Sequence, residues 1–484
     1  MLKTGKEYVA GLKDGRVVYI GDQRIDDVTT HPAFRNAVNT IAEFYDLKAD
    51  PANRAQMAYE EDGQLHSAYY LKARNRDDLA KRSECHRILS QASYGLLGRS
   101  PDYIASFVTG MNLNPELFGQ FADNVRAYYK FMRDKDIYAA HAIVSPQAAR
   151  DPAFYQRQNL PNPSCRVISE DADGVVVSGM KMLATASILA DEIWIGNILP
   201  LAPEAKAESI TFAVPCNTPG LSLWSRKPLE PTARSEFDAP LSWRFDETDA
   251  MVMFDNVKVP WSRVFVHNDP ALSRGLYIET AAHSYGNHHS NLRLLVKMQM
   301  LVGLASRIAQ ATGADQVPAV RETLGRLASL EALLEATVAG QIHAAEEWPV
   351  PGYVTFNRRM MYAGLNWGVE NYSAVIDCVR ELCGGGVLQM PADISVMNND
   401  ELAERFKTYW QTPQMSAIDR MKLFKLAWDI VGSEFAGRHL QYEKFFPGAS
   451  FIVRNHNFRE APWAKWHGVI DSILERMQPG GPIT

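Results

Sequence analysis

The sequence has 484 residues, 46% of them hydrophobic and 22% charged, enough to bury a large core in several domains or one multilayer unit. Its formal net charge is -6, and its 50 Lys and Arg are scattered rather than clustered, which excludes the electrostatic footprint of a nucleic-acid binder. No apolar run has membrane length and residues 1–20 hold no signal-peptide core, so a cytoplasmic protein is expected.

From about residue 31 to 140 the apolar residues recur at helical spacing, as in FRNAVNTIAEFYDL and FADNVRAYYKFMRD. Between 141 and about 266 the texture changes to short β-prone runs such as HAIVSP, DEIWIGNILPL and AMVMFDNVKVP, separated by Asp, Gly, Pro and Asn. Within them, ISEDADGVVVSG reads as a hairpin, with Gly174 supplying the backbone freedom its turn needs. After Trp261 the helical period returns in three long stretches, ending in DRMKLFKLAWDIVGSEFAGRHLQYEKFF. The pattern predicts an α+β chain: a helical domain over 1–140, an antiparallel β-barrel or sandwich over 141–268, and a long-helix bundle over 269–484. Leftover apolar helix faces point to a homotetramer.

The five cysteines, Cys85, Cys165, Cys216, Cys378 and Cys383, match no zinc spacing and read as reduced structural thiols. No metal site is expected. No glycine-rich phosphate loop of either common kind occurs, which disfavours a Rossmann or P-loop enzyme. The run Cys383-Gly384-Gly385-Gly386 reads equally as a helix C-terminal turn or as close backbone approach to a ligand. Adjacent His288 and His289 point about 100° apart on a helix, so they read as structural or cavity-lining. Trp261, Trp410 and Trp428 read as core residues.

In GRSPDY, Pro101 suits the first turn of a helix capped by Ser100, and Arg99 approaches from the preceding loop. An Arg and a Tyr there suit an anionic or phenolic ligand; a surface ion pair and a core tyrosine fit the same letters. His141 opens the first β-run at the junction of two domains, where pockets form, and an imidazole there suits a phenolic oxygen.

Three β-segments, Ala142 to Asp151, Gly179-Met180-Lys181 through Thr185 to Asp191, and Phe254 to Trp261, resemble the acyl-CoA dehydrogenase fold in order and spacing. Within it, GRSPDY, AHAIVSPQ around His141 and LAWDIVGSEFAGRHLQYEKFF resemble the oxygenase component of the 4-hydroxyphenylacetate 3-monooxygenase family over nearly the whole chain. The resemblance implies an enzyme that uses reduced FAD and O2, through a C4a-hydroperoxyflavin, to hydroxylate a phenol at the ortho position. The electrons would come from a separate NAD(P)H:flavin oxidoreductase, since no nicotinamide site is evident. Carried over by position, Arg99, Tyr103 and His141 are catalytic, and Ser100, Asn197 and Ile198 join them around the substrate. His141, Ala142, Ile143, Val144, Gln147, Arg150, Thr185, Phe446 and Gly448 would meet the cofactor. Gly196-Asn197-Ile198-Leu199 stands where relatives carry a hydroxyl-bearing pair for a substrate carboxylate, which leaves the phenol open.

Two relatives on the same fold compete. A 4-hydroxybutyryl-CoA dehydratase would need a Cys-x3-Cys pair where this chain has Arg99 and Tyr103, and an acyl-CoA dehydrogenase would need a catalytic Glu in a matching motif. A non-catalytic helical scaffold would leave the β-segments unexplained.

Overall fold

The structure is a computed structural model and describes residues 2–229 and 235–477. The chain begins with α1 (Gly5–Gly11), β1 (Val18–Ile20), β2 (Gln23–Ile25), α2 (Arg35–Ala49), α3 (Arg54–Met57), β3 (Ala58–Glu61) and β4 (Gln64–Ser67). Three helices follow, α4 (Arg76–Ala92), α5 (Pro101–Met111) and α6 (Ala122–Lys135). The middle holds β5 (Ala139–Ala142), α7 (Pro152–Arg157), β6 (Arg166–Asp171), β7 (Gly174–Thr185), β8 (Glu192–Ile195), β9 (Thr211–Pro215), β10 (Leu221–Ser225), α8 (Ser242–Phe245), β11 (Asp249–Pro260) and β12 (Val264–Val266). Next come α9 (Pro270–Ile278), α10 (Ala282–Thr312), α11 (Pro318–His343), β13 (Glu346–Glu347), β14 (Val354–Thr355) and α12 (Arg358–Cys383). The described chain ends with α13 (Asp400–Trp410), α14 (Ala417–Val431), α15 (Glu434–Phe445), α16 (Ser450–Glu460) and α17 (Trp463–Leu474).

The strands form a six-stranded sheet in the order β2-β1-β10-β11-β7-β6 and a four-stranded sheet in the order β12-β9-β8-β5. Phe212 of β9 meets Phe254 of β11 edge to face at 5.9 Å, so the two apolar faces interlock as a sandwich. Both sheets are open, which corrects the barrel alternative. The pairing is antiparallel as expected except for one parallel pair in each sheet, β1 with β10 and β5 with β8. Strands β1 and β2 join the larger sheet from a region where helical spacing dominates.

The predicted hairpin is β6 against β7, paired from Asp171 with Gly174. The Asp171 carboxylate accepts from the backbone N–H of Asp173 and Gly174, which closes the turn. Gly384, at φ 51°, ends α12, and Gly386 lies against Phe424; the glycine run is a helix terminus. Trp428 is 40% exposed, so its core assignment is corrected: it sits on the outer face of α14.

Helix α10, 31 residues long, is the spine of the bundle and packs on α4, α5, α11 and α12. It approaches α5 closely at Gly286, where a Cβ would collide with the Phe107 ring. That approach brings α5, α9, α10 and β5 to one place.

Candidate active site

Pro101 starts α5, and Ser100 is its N-cap residue in extended conformation. The Ser100 hydroxyl does not cap the helix: it donates to Asp102 at 2.6 Å and lies 3.1 Å from His289 Nε2. Ser100 is thus spent on a buried network and presents no free hydroxyl to a ligand. Asp102 is fully buried, with His86 Nδ1 at 2.6 Å and His289 Nε2 at 3.5 Å. Burial opposes its charge, yet the flanking imidazoles hold its carboxyl well below the ordinary carboxylate range. This ionised group anchors the first turn of α5, from which Arg99 and Tyr103 project.

Arg99 is clamped along its backbone: its N–H donates to Glu247 at 2.9 Å and its carbonyl accepts from the Tyr138 hydroxyl at 2.6 Å. Its guanidinium donates to the Tyr442 hydroxyl at 2.6 Å and lies over the Tyr103 ring, 4.0 Å from the centroid. One guanidinium nitrogen of this half-buried side chain is thereby held, leaving its other N–H groups without a partner among the described residues. The Tyr103 ring is buried, 5.0 Å from Phe107 and 6.3 Å from His141. Its hydroxyl has no partner among the described residues and is not fully enclosed, so it faces open space. Burial raises its pKa, with Arg99 opposing, so the phenol is a neutral donor at pH 7.

His141, on β5, is 7% exposed, and its Nε2 lies 3.1 Å from the Tyr277 hydroxyl. That hydroxyl also accepts from Trp194 Nε1 at 3.3 Å, and since His141 Nε2 is the one acceptor in reach of its proton among the described residues, we assign that proton to the Tyr277–His141 bond. The neutral imidazole therefore carries its hydrogen on Nδ1. Burial first, then the charge of Arg99, push His141 well below its ordinary value, so the ring stays neutral and Nδ1–H is a donor at pH 7. Phe107 packs 5.5 Å from His141 and 6.2 Å from Tyr277, making the apolar wall. The arrangement clusters a guanidinium, a phenol and an imidazole beside aromatic rings, a donor set whose chemistry suits a phenolate oxygen.

Asn197 follows β8, but its amide is fully committed: it accepts from Lys181 at 2.7 Å and donates to the Glu208 carbonyl and the Ser273 hydroxyl, each at 3.0 Å. It braces the loop rather than offering itself to a ligand. Ile198, half-buried, follows it beside Gly196, where a Cβ would lie 2.7 Å from the Tyr277 hydroxyl.

The cofactor residues form a second group. After Ala142, Ile143 and Val144 continue the strand until the Val144 carbonyl accepts from Met182 N–H at 2.8 Å, setting this segment beside the end of β7 that carries Thr185. Gln147 and Arg150 are exposed, with no partners among the described residues. The Thr185 hydroxyl donates to Asp249 at 2.5 Å, and Asp249 is gripped by Arg226 and Arg438. Arg438 also holds Glu247, which takes the Arg99 N–H, so Thr185 and Arg99 are ends of one chain of charge-assisted bonds. Half-buried Phe446 stacks on Tyr442 at 5.2 Å and 6°, followed by Gly448 at φ 101°. Reduced FAD has a flat ring, a polar pyrimidine edge and an anionic tail. A free amide, a free guanidinium, a hydroxyl with open lone pairs and an aromatic face are the chemistry that fits it.

Among the described residues no group of three or more His, Cys, Asp or Glu could hold a metal ion. All five cysteines are free, and His288 is occupied by Gln341 and Ser83 while stacked on Phe356. Tyr277, Asp102, Glu247 and Tyr442 were not singled out from sequence. Asp102 and Tyr442 lie inside the motifs GRSPDY and LAWDIVGSEFAGRHLQYEKFF that carried the resemblance; Tyr277 and Glu247 gave no local signal.

Comparison with known proteins identifies the family. Family profiles described as the 4-hydroxyphenylacetate 3-hydroxylase N terminal and C terminal match residues 4–266 and 273–475. The chain is 32% identical to the pyoverdin chromophore biosynthetic protein PvcC of Pseudomonas aeruginosa, over 94% of this chain and 90% of that one. It is 33% identical to the 4-hydroxyphenylacetate 3-monooxygenase oxygenase component of Thermus thermophilus, over 93% and 92%. It is also 33% identical to the 4-nitrophenol 2-monooxygenase oxygenase component of a Rhodococcus species, over 93% and 87%. A crystal structure of a 4-hydroxyphenylacetate 3-monooxygenase oxygenase component complexed with FAD and 4-hydroxyphenylacetate superposes with a TM-score of 0.92 at 30% identity, covering 98% of both chains. An archaeal 4-hydroxybutyryl-CoA dehydratase shares the fold at TM-score 0.87 and 17% identity. The chain belongs to the 4-hydroxyphenylacetate 3-hydroxylase family.

Proposed function

We propose that this protein is the oxygenase component of a two-component flavin-dependent monooxygenase that hydroxylates a phenol ortho to its hydroxyl group. The observation that carries the reading is the clustering of Arg99, Tyr103 and His141 beside Phe107 and Tyr277, with the Arg99 guanidinium 4.0 Å from the Tyr103 ring centroid and the Tyr103 ring 6.3 Å from that of His141. Reduced FAD, when bound, supplies the electrons that activate O2 for transfer to the ring. The residues proposed to hold it are Ala142 to Val144 through their backbone, with Gln147, Arg150, Thr185, Phe446 and Gly448.

The chain's own task is to bind, orient and shield. Arg99 places positive charge beside the substrate oxygen, and the neutral imidazole of His141 donates to it, so the ionised phenol is favoured and electron density rises at the ortho carbon. Tyr103 donates to the same oxygen or fixes the ring plane. Each donor aimed at that oxygen is worth about 10²–10³ in rate. Burial of the surrounding rings keeps water from the reacting atoms.

The electron source in this reading is an NAD(P)H:flavin oxidoreductase that meets the oxygenase only transiently. The protein is proposed to act as a homotetramer in the cytoplasm. Supporting the assembly, α17 buries none of its residues within the chain and exposes Val469, Ile470, Ile473 and Leu474, each by more than half. No described helix is long and apolar enough to cross a membrane. Unpaired cysteines suit a reducing compartment.

The test separates the protein from an unrelated flavin reductase, NADH and FAD by a dialysis membrane and follows phenol conversion. Catechol that forms across the membrane, and only when both proteins are present, supports the proposal; no catechol even when the proteins are mixed refutes it.

A further inference from the structure

Behind the phenol site lies a second cluster. His283, in the first turn of α10, has its ring 6.1 Å from Phe107 and 5.9 Å from Tyr277, so it backs directly onto the wall of the site. Its Nδ1 lies 3.0 Å from the Tyr362 hydroxyl of α12. His456 of α16 stacks on Tyr362 at 4.5 Å and 6°, and its ring is 5.9 Å from His283. Arg459, one turn further along α16, contacts His456 Nδ1.

On the opposite side stands α9. Arg274 precedes Tyr277 by three residues and so shares its helix face, while Tyr277 reaches His141. Arg274 is half-buried and has no ion pair or hydrogen bond among the described residues. A half-buried guanidinium is ordinarily paired. The charges acting on His283 and His456 come from Arg274 and Arg459, with no carboxylate among them, and the nearby Glu460 is engaged by Arg358. Burial first keeps both imidazoles neutral, helped at His283 by His456 and then Arg274 and Arg459, and at His456 by Arg459 and then Arg274, with His283 down to about 3 and His456 to about 4. Helix α10 adds its positive end here, with Ala281 at the N-cap and no side-chain cap. The cluster thus offers surplus positive charge and polar hydrogen-bonding groups in contact with the Phe107 and Tyr277 rings.

We propose that Arg274, with His283 and Tyr362, forms an anion subsite that receives a free carboxylate on a short para substituent of the phenolic substrate. This rests on the phenol-hydroxylase reading and deepens it. It takes the place left by the committed amide of Asn197 and the apolar Ile198. The names of the relatives alone leave the para group undecided, since one acts on 4-hydroxyphenylacetate and another on 4-nitrophenol. The positive cluster selects the acid over a neutral, nitro-bearing or thioester-linked phenol.

An anionic group can come from the substrate or from the diphosphate of FAD, and the experiment separates them. Equilibrium dialysis measures the Kd of 3-(4-hydroxyphenyl)propanoate, of its primary amide, and of reduced FAD under anaerobic conditions, for the wild type, Arg274→Gln and Arg274→Lys. Loss of one charged partner should weaken the acid about tenfold or more in Arg274→Gln. Arg274→Lys should recover most of that loss, with the amide and FAD within about twofold throughout. Equal weakening of acid and amide, an effect on FAD alone, or no effect overturns the subsite. Failure of the wild type to hydroxylate either ligand would sink the parent reading instead, and the binding contrast would still judge the subsite.

Discussion

Tyr277→Phe removes a single oxygen on which two buried nitrogens depend, His141 Nε2 at 3.1 Å and Trp194 Nε1 at 3.3 Å. Each nitrogen left without a partner costs about 1–3 kcal/mol, so urea denaturation should show a loss of roughly 2–6 kcal/mol. The effect on turnover travels through His141 alone. Without the Tyr277 proton the imidazole is no longer locked as the Nδ1–H tautomer, and a fraction of one donor's contribution disappears. With a donor worth about 10²–10³, His141→Ala should lower kcat/KM by that factor, while Tyr277→Phe should lower it about tenfold. The decisive measurement is the double variant, assayed by catechol formation at fixed reduced FAD. If Tyr277 acts only by holding His141, the double variant should match His141→Ala, a coupling of about 1.4 kcal/mol for the tenfold that vanishes. Losses that multiply would show that Tyr277 touches the substrate independently and that the tautomer argument is wrong.

Gly98→Ala should drive a Cβ into the Tyr442 hydroxyl, displacing the partner of the Arg99 guanidinium; kcat/KM should fall more than the denaturation midpoint, and equal falls would contradict it. Glu443→Gln should strip a fully buried carboxylate from between Arg293 and Lys297 at 2.7 and 2.6 Å, lowering stability by about 3–5 kcal/mol in urea titrations. Acid should destabilise the fold early. Burial, the leading cause in each case, holds His86 at about 4, His283 at about 3, and His141, His288 and His439 well below their ordinary value. The unfolded chain therefore binds more protons, so stability is full above about pH 6.5 and falls as pH descends toward the folded values. At pH 5.5 each such imidazole removes about 1.4 kcal/mol, and thermal melts that stay flat from pH 7 to 5 would contradict the burial argument.

Much of the fold was legible because it depends on local rules. The change from helical to strand period near residue 141, the Asp171 to Gly174 turn and the helix-ending Gly384 each follow from spacing or backbone freedom a few residues long. The parallel pairs were not legible, because β1 finds β10 and β5 finds β8 across long stretches of chain. The site divides in the same way. Arg99, Tyr103 and His141 stand in recognisable strings, and the structure gathers them. Their supports do not, since Glu247, Tyr277 and Tyr442 reach them from helices and loops far along the chain. Ser100 and Asn197 carry the polarity expected of ligand groups, but that polarity serves Asp102 and Lys181 inside the fold. A sequence records which groups are present and not which partner has already taken them.

The most direct test is spectrophotometric: titrate a bound phenol from pH 5 to 10 and follow the ultraviolet band of its ionised form. Three donors converging on its oxygen should lower the ionisation midpoint of the bound phenol by at least one pH unit from that in solution, with His141→Ala restoring part of the shift. A bound phenol that ionises at its solution value, in the wild type and the variant alike, would contradict the account.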